Sequence, residues 1–332
     1  MLRPKCHAAF FLSAVFLFPP VAASQAWVPE KGEGTVSLSL QDNFVKNHLG
    51  ADGQRIDVGH IRTFIALQDI DYGITNKLAI DVSIPFVLSK YYGPRPHQLP
   101  VDDGKYHGNW QDFRMNLRYN LRTRPLMITP FAALGVPSND YIYFAHSAAG
   151  TEQREYVIGC SFLRNLESIL PRSYVQGAYL FLIPQQVMGI RTYRSRVDSD
   201  LGYFVTNRVA IRALASLQIG HAGYQVGDPP ADLGDFPVRI PSNIKWYHHD
   251  QTSKISYLNL GGSASLGLTK SWSAFVAVFT TVWGRNGHAL ELGEVVGLSW
   301  SFRAPWAKPQ SLADPTTEAD PANPTKAPTH VH

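Results

Sequence analysis

Hydrophobic and polar residues alternate one by one along most of the chain. In residues 110–121, for example, apolar side chains stand at Phe113, Met115 and Leu117, and polar ones at Arg114 and Asn116. A period of two residues is that of a β-strand with one apolar and one polar face. The pattern therefore predicts strands rather than helices.

Twelve segments carry this alternation, at 34–45, 58–72, 78–90, 110–121, 126–137, 154–164, 173–183, 193–205, 208–221, 253–268, 273–284 and 291–302. Their connections alternate between long (46–57, 91–109, 138–153, 184–192, 222–252 and 285–290) and short (73–77, 122–125, 165–172, 206–207 and 269–272). Strands of about ten residues with loops at one end and tight turns at the other are typical of outer-membrane barrels. We therefore predict an all-β fold, an antiparallel transmembrane β-barrel of about 12 strands with 10 or 14 as alternatives, and both termini in the periplasm.

A secreted soluble sandwich also alternates, so the last strand matters for the choice between the two. In 291–302, Leu292, Val296 and Trp300 share one face, and the segment closes on Phe302 as the terminal strand of a membrane barrel does. Aromatic residues near strand ends suit the girdles at the two membrane interfaces. These are Tyr72, Tyr91, Tyr92, Trp110, Tyr203, Trp272, Trp283 and Trp300.

The first 26 residues have the pattern of a secretory signal peptide. Basic residues come first, an apolar run extends from Ala8 to Phe18, and small residues follow at Ala23 and Ala26, after either of which cleavage fits. The apolar run is too short for a membrane anchor, which needs about 20 residues. We expect Sec-type export to the outer membrane of a Gram-negative bacterium, with residues 27–302 forming the barrel. Since Cys6 is removed with the signal, Cys160 has no partner for a disulfide within the chain.

Composition adds little about partners. The 30 Lys and Arg nearly balance the 26 Asp and Glu, so charge does not indicate a nucleic-acid partner. Residues 303–332 are rich in proline and predict a disordered periplasmic tail. The long connection 222–252 is either a functional lid or plug over the outer mouth or a disordered surface loop, and the sequence leaves both open.

Four stretches resemble a known family. The start AWVPEKGEGTVSLSLQ (26–41), the hairpins DYGITNKLAI (71–80) and LGYFVTNRVAI (201–211), and the end WGRNGHALELGEVVGLSWSF (283–302) are similar to the outer-membrane barrel family named for the meta-pathway of phenol degradation. The resemblance implies an outer-membrane transporter or channel for hydrophobic or aromatic compounds. Thr and Asn in the repeated turns suit a structural role, because their side chains can close tight turns.

The polar face of each predicted strand, made by every second residue, predicts which side chains line the lumen. They are Arg62, Asp81, Asp112, Arg114, Arg118, Arg194, Arg196, Asp198, Asp200 and Arg212, with Phe64 and Tyr257 as inward aromatics. Such residues either form a network of ion pairs or line a selective pathway, and both interpretations stay open. The predicted function is a channel or facilitator for small, apolar or aromatic solutes. The alternative is a closed structural or surface-interaction barrel. The expected partners are outer-membrane lipid, a small apolar solute and the barrel-assembly machinery, which would read the strand ending at Phe302.

Enzyme and metal chemistry have weak signals. Ser147 follows His146, which keeps an outer-membrane hydrolase as a third hypothesis, although we predict no enzyme. His248, His249 and Asp250 are consecutive, and adjacent side chains seldom converge on one ion. We therefore predict no catalytic residues, no metal ligands and no cofactor.

Overall fold

The computed structural model describes residues 25–225 and 247–307, and strands make up most of this part. Most of the predicted signal peptide (1–24), most of the loop 222–252 (226–246) and most of the tail (308–332) lie outside the described residues. The strands are β1 (Glu33–Leu49), β2 (Arg55–Ile56), β3 (His60–Gly73), β4 (Leu78–Tyr92), β5 (His107–Trp110), β6 (Phe113–Tyr119), β7 (Met127–Val136), β8 (Glu155–Asn165), β9 (Ser173–Pro184), β10 (Arg194–Phe204), β11 (Val209–Gly220), β12 (Ser256–Gly267), β13 (Trp272–Arg285) and β14 (Gly287–Arg303). A short helix, α1 (His249–Thr252), precedes β12. Within the described ranges, no helix has the length and apolar character to cross a membrane.

The sheet closes on itself. Successive strands pair antiparallel, and β14 pairs with β1 from Glu33 opposite Arg303 to Leu49 opposite Gly287. The short strands β2 and β5 pair with β1 and β4, so twelve long strands form the wall. Closure pairs the edges that an open sheet would expose. The predicted barrel of 12 antiparallel strands is confirmed.

The two ends of the barrel differ as predicted, with one exception. Tight turns and the N-terminal segment lie at what we call the turn end, and long connections lie at the loop end. The exception is 285–290, predicted as a long connection. Here β13 and β14 meet at Asn286 alone, whose φ of 55° lies in the left-handed region. Asn tolerates this region, and Gly287 follows it, so the strands continue almost to the turn.

Three turns at the turn end use the same threonine contact. The hydroxyl oxygen of Thr75 accepts the backbone N–H of Lys77 and of Leu78, at 3.1 and 3.0 Å. Thr206 and Thr269 accept the equivalent pairs of N–H groups in their own turns. The structural role predicted for the repeated turns is therefore present in the geometry.

The two faces of the wall have opposite character. Large apolar side chains are exposed on the outside, among them Leu38, Leu40, Val276, Val296 and Leu298. Polar and charged side chains are buried on the inside. Most of the aromatic residues expected at the interfaces point outward, including stacked Trp272 and Trp300. Tyr91 does not: it is 1% exposed, and its hydroxyl donates to the Val58 carbonyl.

Aromatic rings on the inner face pack over glycines on the neighbouring strand. Phe275 and Phe279 of β13 lie directly opposite Gly297 and Gly293 of β14, and both rings are buried. A Cβ atom added at either glycine would overlap the facing ring. These glycines therefore leave the space in which the inward aromatic rings lie.

We predict that Gly293→Ala lowers the free energy of unfolding by about 1–3 kcal/mol, the usual cost of overpacking. Denaturant titration of the protein in lipid vesicles measures the change. Gly262→Ala is the matched control, because the nearest atom to its added Cβ is the Arg212 carbonyl oxygen at 3.5 Å. Equal effects at the two positions would contradict the packing argument.

Candidate functional site

Nine of the ten residues predicted to line the lumen lie on the inner face of the wall. Eight are buried: Asp81, Asp112, Arg114, Arg118, Arg196, Asp198, Asp200 and Arg212. The ninth, Arg194, is half-buried and shares the inward parity of Arg196. Inward Tyr257 is 5% exposed.

Arg62 lies on the outer face instead, and so does Phe64. Arg62 pairs with Asp42, with Nη2 and Oδ2 2.6 Å apart, and its side chain is half exposed. In β3, both the even-numbered and the odd-numbered residues include apolar and polar side chains. The alternation therefore did not show which set faces the lumen, and Arg62 and Phe64 were assigned to the wrong face. The inward charges of this strand are Asp69 and Asp71, which belong to the opposite parity.

A charged layer lies near the turn end. The guanidinium of Arg118, 2% exposed, donates to Asp71, and Asp69 and Asp81 are close enough to interact with it electrostatically. Ser83 donates to Asp69 at 2.5 Å. One buried cation thus offsets the mutual repulsion of three carboxylates.

The N-terminal segment covers this layer. Nη1 of Arg118 donates to the carbonyls of Gln25 and Trp27, at 3.2 and 3.3 Å. Ala26 is fully buried, and its carbonyl accepts from Thr129 and, at 3.4 Å, from Asn120. Residues 25–27 therefore bind to the inner wall at the turn end, along β6 and β7.

A second charged layer lies nearer the loop end and narrows the lumen. Arg196 pairs with Asp198 at 3.1 Å, and Arg114 lies 3.9 Å from Glu155. Arg114 on β6 and Arg196 on β10 are close enough for their like charges to repel each other. Arg196 also forms a hydrogen bond with Tyr257 on β12. The strands that carry these residues lie in separate parts of the wall, so their side chains meet inside the lumen. We call Arg114, Glu155, Arg196, Asp198 and Tyr257 the constriction.

Above the constriction, at the loop end, lies a cavity of about 320 Å³. Arg196, Glu155 and Tyr257 of the constriction belong to its lining. Its apolar lining comes from Leu49, Ile56, Val58, Leu182 and Ile255. Its basic and imidazole lining comes from Arg95, Arg194, His48, His97, His146, His249 and His288. Such a mixed lining suits a small solute with an apolar body and a polar or charged group.

The five histidines of the lining form one cluster. Ring centroids lie 3.6 Å apart for His97 and His146, 5.1 Å for His97 and His249, 5.0 Å for His48 and His146, and 4.4 Å for His48 and His288. They come from β1, two long connections, α1 and β14. Sequence reasoning missed this cluster because no two of its members are near one another in the chain.

Asp102 holds two members of the cluster in place. Its Oδ2 accepts the backbone N–H of His97 at 2.8 Å and of His146 at 3.1 Å. Burial, with the neighbouring histidines, lowers the pKa of His97 well below its ordinary value, and burial lowers the pKa of His146 to about 4. Both imidazoles are therefore neutral at pH 7.

Ser147 does not have the geometry of a nucleophile. Its hydroxyl lies 2.8 Å from Asp102 Oδ1 and 3.0 Å from the Val101 carbonyl, and the His146 ring nitrogen Nε2 contacts the Arg95 carbonyl at 2.9 Å. A nucleophile needs a base within hydrogen-bond reach. The His146–Ser147 pair therefore lacks the serine–base contact that the hydrolase hypothesis requires.

No family model matches the chain, and no curated protein has a significantly similar sequence. The resemblance to the phenol meta-pathway family is therefore not confirmed. Among solved structures, an outer membrane channel from Pseudomonas putida F1 is similar with a TM-score of 0.63 and 11% identity, over 86% of this chain and 100% of that one. The NanC porin has a TM-score of 0.45 and 9% identity, over 79% of this chain and 98% of that one. The similarity to the channel from P. putida supports the fold, an outer-membrane-type β-barrel.

We predict that Arg118→Met lowers the free energy of unfolding by about 3–5 kcal/mol, because it leaves buried carboxylates without their cation. Arg62→Met is the matched control: it also breaks an Arg–Asp pair, but an exposed one, so a much smaller change is expected. Denaturant titration of both variants in lipid vesicles checks this. Equal losses of unfolding free energy in the two variants would show that the buried Arg118 layer contributes no more to stability than the exposed pair does.

Proposed function

We propose that this protein is a channel in the outer membrane of a Gram-negative bacterium and admits small solutes with an apolar or aromatic body. The apolar outside and polar inside of the closed wall support the membrane location, since lipid-facing and lumen-facing residues alternate in such barrels. The cavity at the loop end is the observation that carries the channel proposal.

The cavity is of a size that suits a small solute, and it leads to charged groups. Its volume of about 320 Å³ is at the lower end of the range for small-ligand pockets. Aliphatic side chains on one part of the lining can contact an apolar ring. Arg194, half-buried, presents a guanidinium to the same space and can bind a carboxylate or phenolate.

In this proposal, the constriction is the part of the lumen that limits the passage of solutes. Arg196 and Asp198 form a buried pair, so removing both leaves no unpaired charge from this pair. The double variant widens the lumen below the cavity.

We predict that Arg196→Ser combined with Asp198→Ser raises the single-channel conductance of the mature protein in planar bilayers. Benzoate should reduce the ion current of the wild type more than acetate does, because the cavity can bind its ring. Arg62→Ala, on the outer face, should leave both measurements unchanged. Folded material is selected by its gel mobility, which shifts on boiling. A silent wild type and a silent double variant would overturn the channel proposal.

A closed barrel is the second candidate, and one observation favours it. Residues 25–27 bind to the inner wall at the turn end through Arg118, Asn120 and Thr129, so they occupy part of this end of the lumen. If the segment limits conduction, a chain that begins at Glu30 should conduct more than one that begins at Ser24. Equal conductance of the two chains in planar bilayers would show that the segment does not limit passage.

A further inference from the structure

Three side chains of the histidine cluster have the geometry of a metal site. The ligand atoms of His97, His249 and Asp250 all lie within 4.8 Å of one another. They come from the connection between β4 and β5 and from α1, which the fold brings together at the loop end. Imidazole and carboxylate are ligands for Zn²⁺, at about 2.0–2.2 Å from the ion, so a small closure of this group would bring all three onto one cation.

The backbone around these ligands is held from several sides. Asp102 fixes the His97 backbone, as described above. Gln251 of α1 donates to the Thr151 carbonyl at 2.8 Å, and its own carbonyl accepts from Gln153 at 3.2 Å. The helix is thus tied to the connection between β7 and β8. A preformed backbone reduces the cost of ordering the ligands when a cation binds.

Further imidazole nitrogens lie in the same cluster. The cluster holds imidazole nitrogens that are buried and have no hydrogen-bond partner among the described residues, at His48 Nε2 and His146 Nδ1. Such atoms are costly unless something binds them.

We propose that His97, His249 and Asp250 bind one divalent transition-metal ion of the Zn²⁺ type, with a further position available to water or to a solute. The bound ion joins the connection between β4 and β5 to α1, so it fastens the loops over the outer mouth. The site does not depend on whether the barrel conducts.

The test uses the full mature chain, without an affinity tag and stripped with a chelator, in detergent micelles. Zn²⁺ titration by calorimetry should give one equivalent per chain, and Co²⁺ should give the visible absorption of a four-coordinate site. His97→Ala and Asp250→Asn should each weaken binding by at least about tenfold, since even outer-shell partners contribute that much. Zn²⁺ should also raise the melting temperature, because it binds only the folded chain.

His107→Ala is the matched control. His107 also contacts an aspartate, Asp103 at 2.8 Å, but this pair is exposed and has no third ligand among the described residues. The control should bind Zn²⁺ as the wild type does. Absence of a stoichiometric site in the wild type would overturn the proposal, and it would show that the cluster is a packed stack of neutral rings. Full-affinity binding in both ligand variants would place the ion elsewhere, for instance on His330 and His332 of the tail, and would also overturn it.

Discussion

The pairing of β1 with β14 fixes the geometry of the whole molecule. Backbone N–H and C=O groups in lipid must find partners within the protein, and only a sheet without edges provides them all. The seam joins residues at opposite ends of the barrel sequence, from Glu33 with Arg303 to Leu49 with Gly287. Once the ring is closed with twelve long strands, its interior is wider than that of an eight-stranded barrel and narrower than that of a porin with 16–18 strands.

The narrow interior explains why charge can be buried here at all. Each buried cation has carboxylates at close range, as Arg118 has Asp71 and Arg196 has Asp198. Breaking such a pair leaves a charge without compensation, whereas exposed pairs such as Arg62 with Asp42 gain little from their contact. The same charged layers lie inside the lumen, so in the proposed channel stability and passage would depend on the same residues.

Alternation allowed the fold to be predicted strand by strand, because each residue of a lipid-exposed strand faces one of two opposite solvents. It was weakest in β3, where Ile61 and Leu67 share the inner face with Asp69 and Asp71, and there Arg62 and Phe64 were assigned to the wrong side. The histidine cluster had no signal of this kind. Its members lie on different strands and connections, and only the closed barrel brings them together.

The contacts of the N-terminal segment bear on where the predicted leader is cleaved. Ala26 is fully buried and its carbonyl accepts hydrogen bonds from the wall, immediately beside one of the two cleavage sites predicted from the sequence. Cleavage after Ala23 leaves these contacts intact, whereas cleavage after Ala26 removes the residue that makes them. If the predicted leader is removed, the choice between these two peptide bonds determines whether the contacts of Ala26 with the wall are kept or lost.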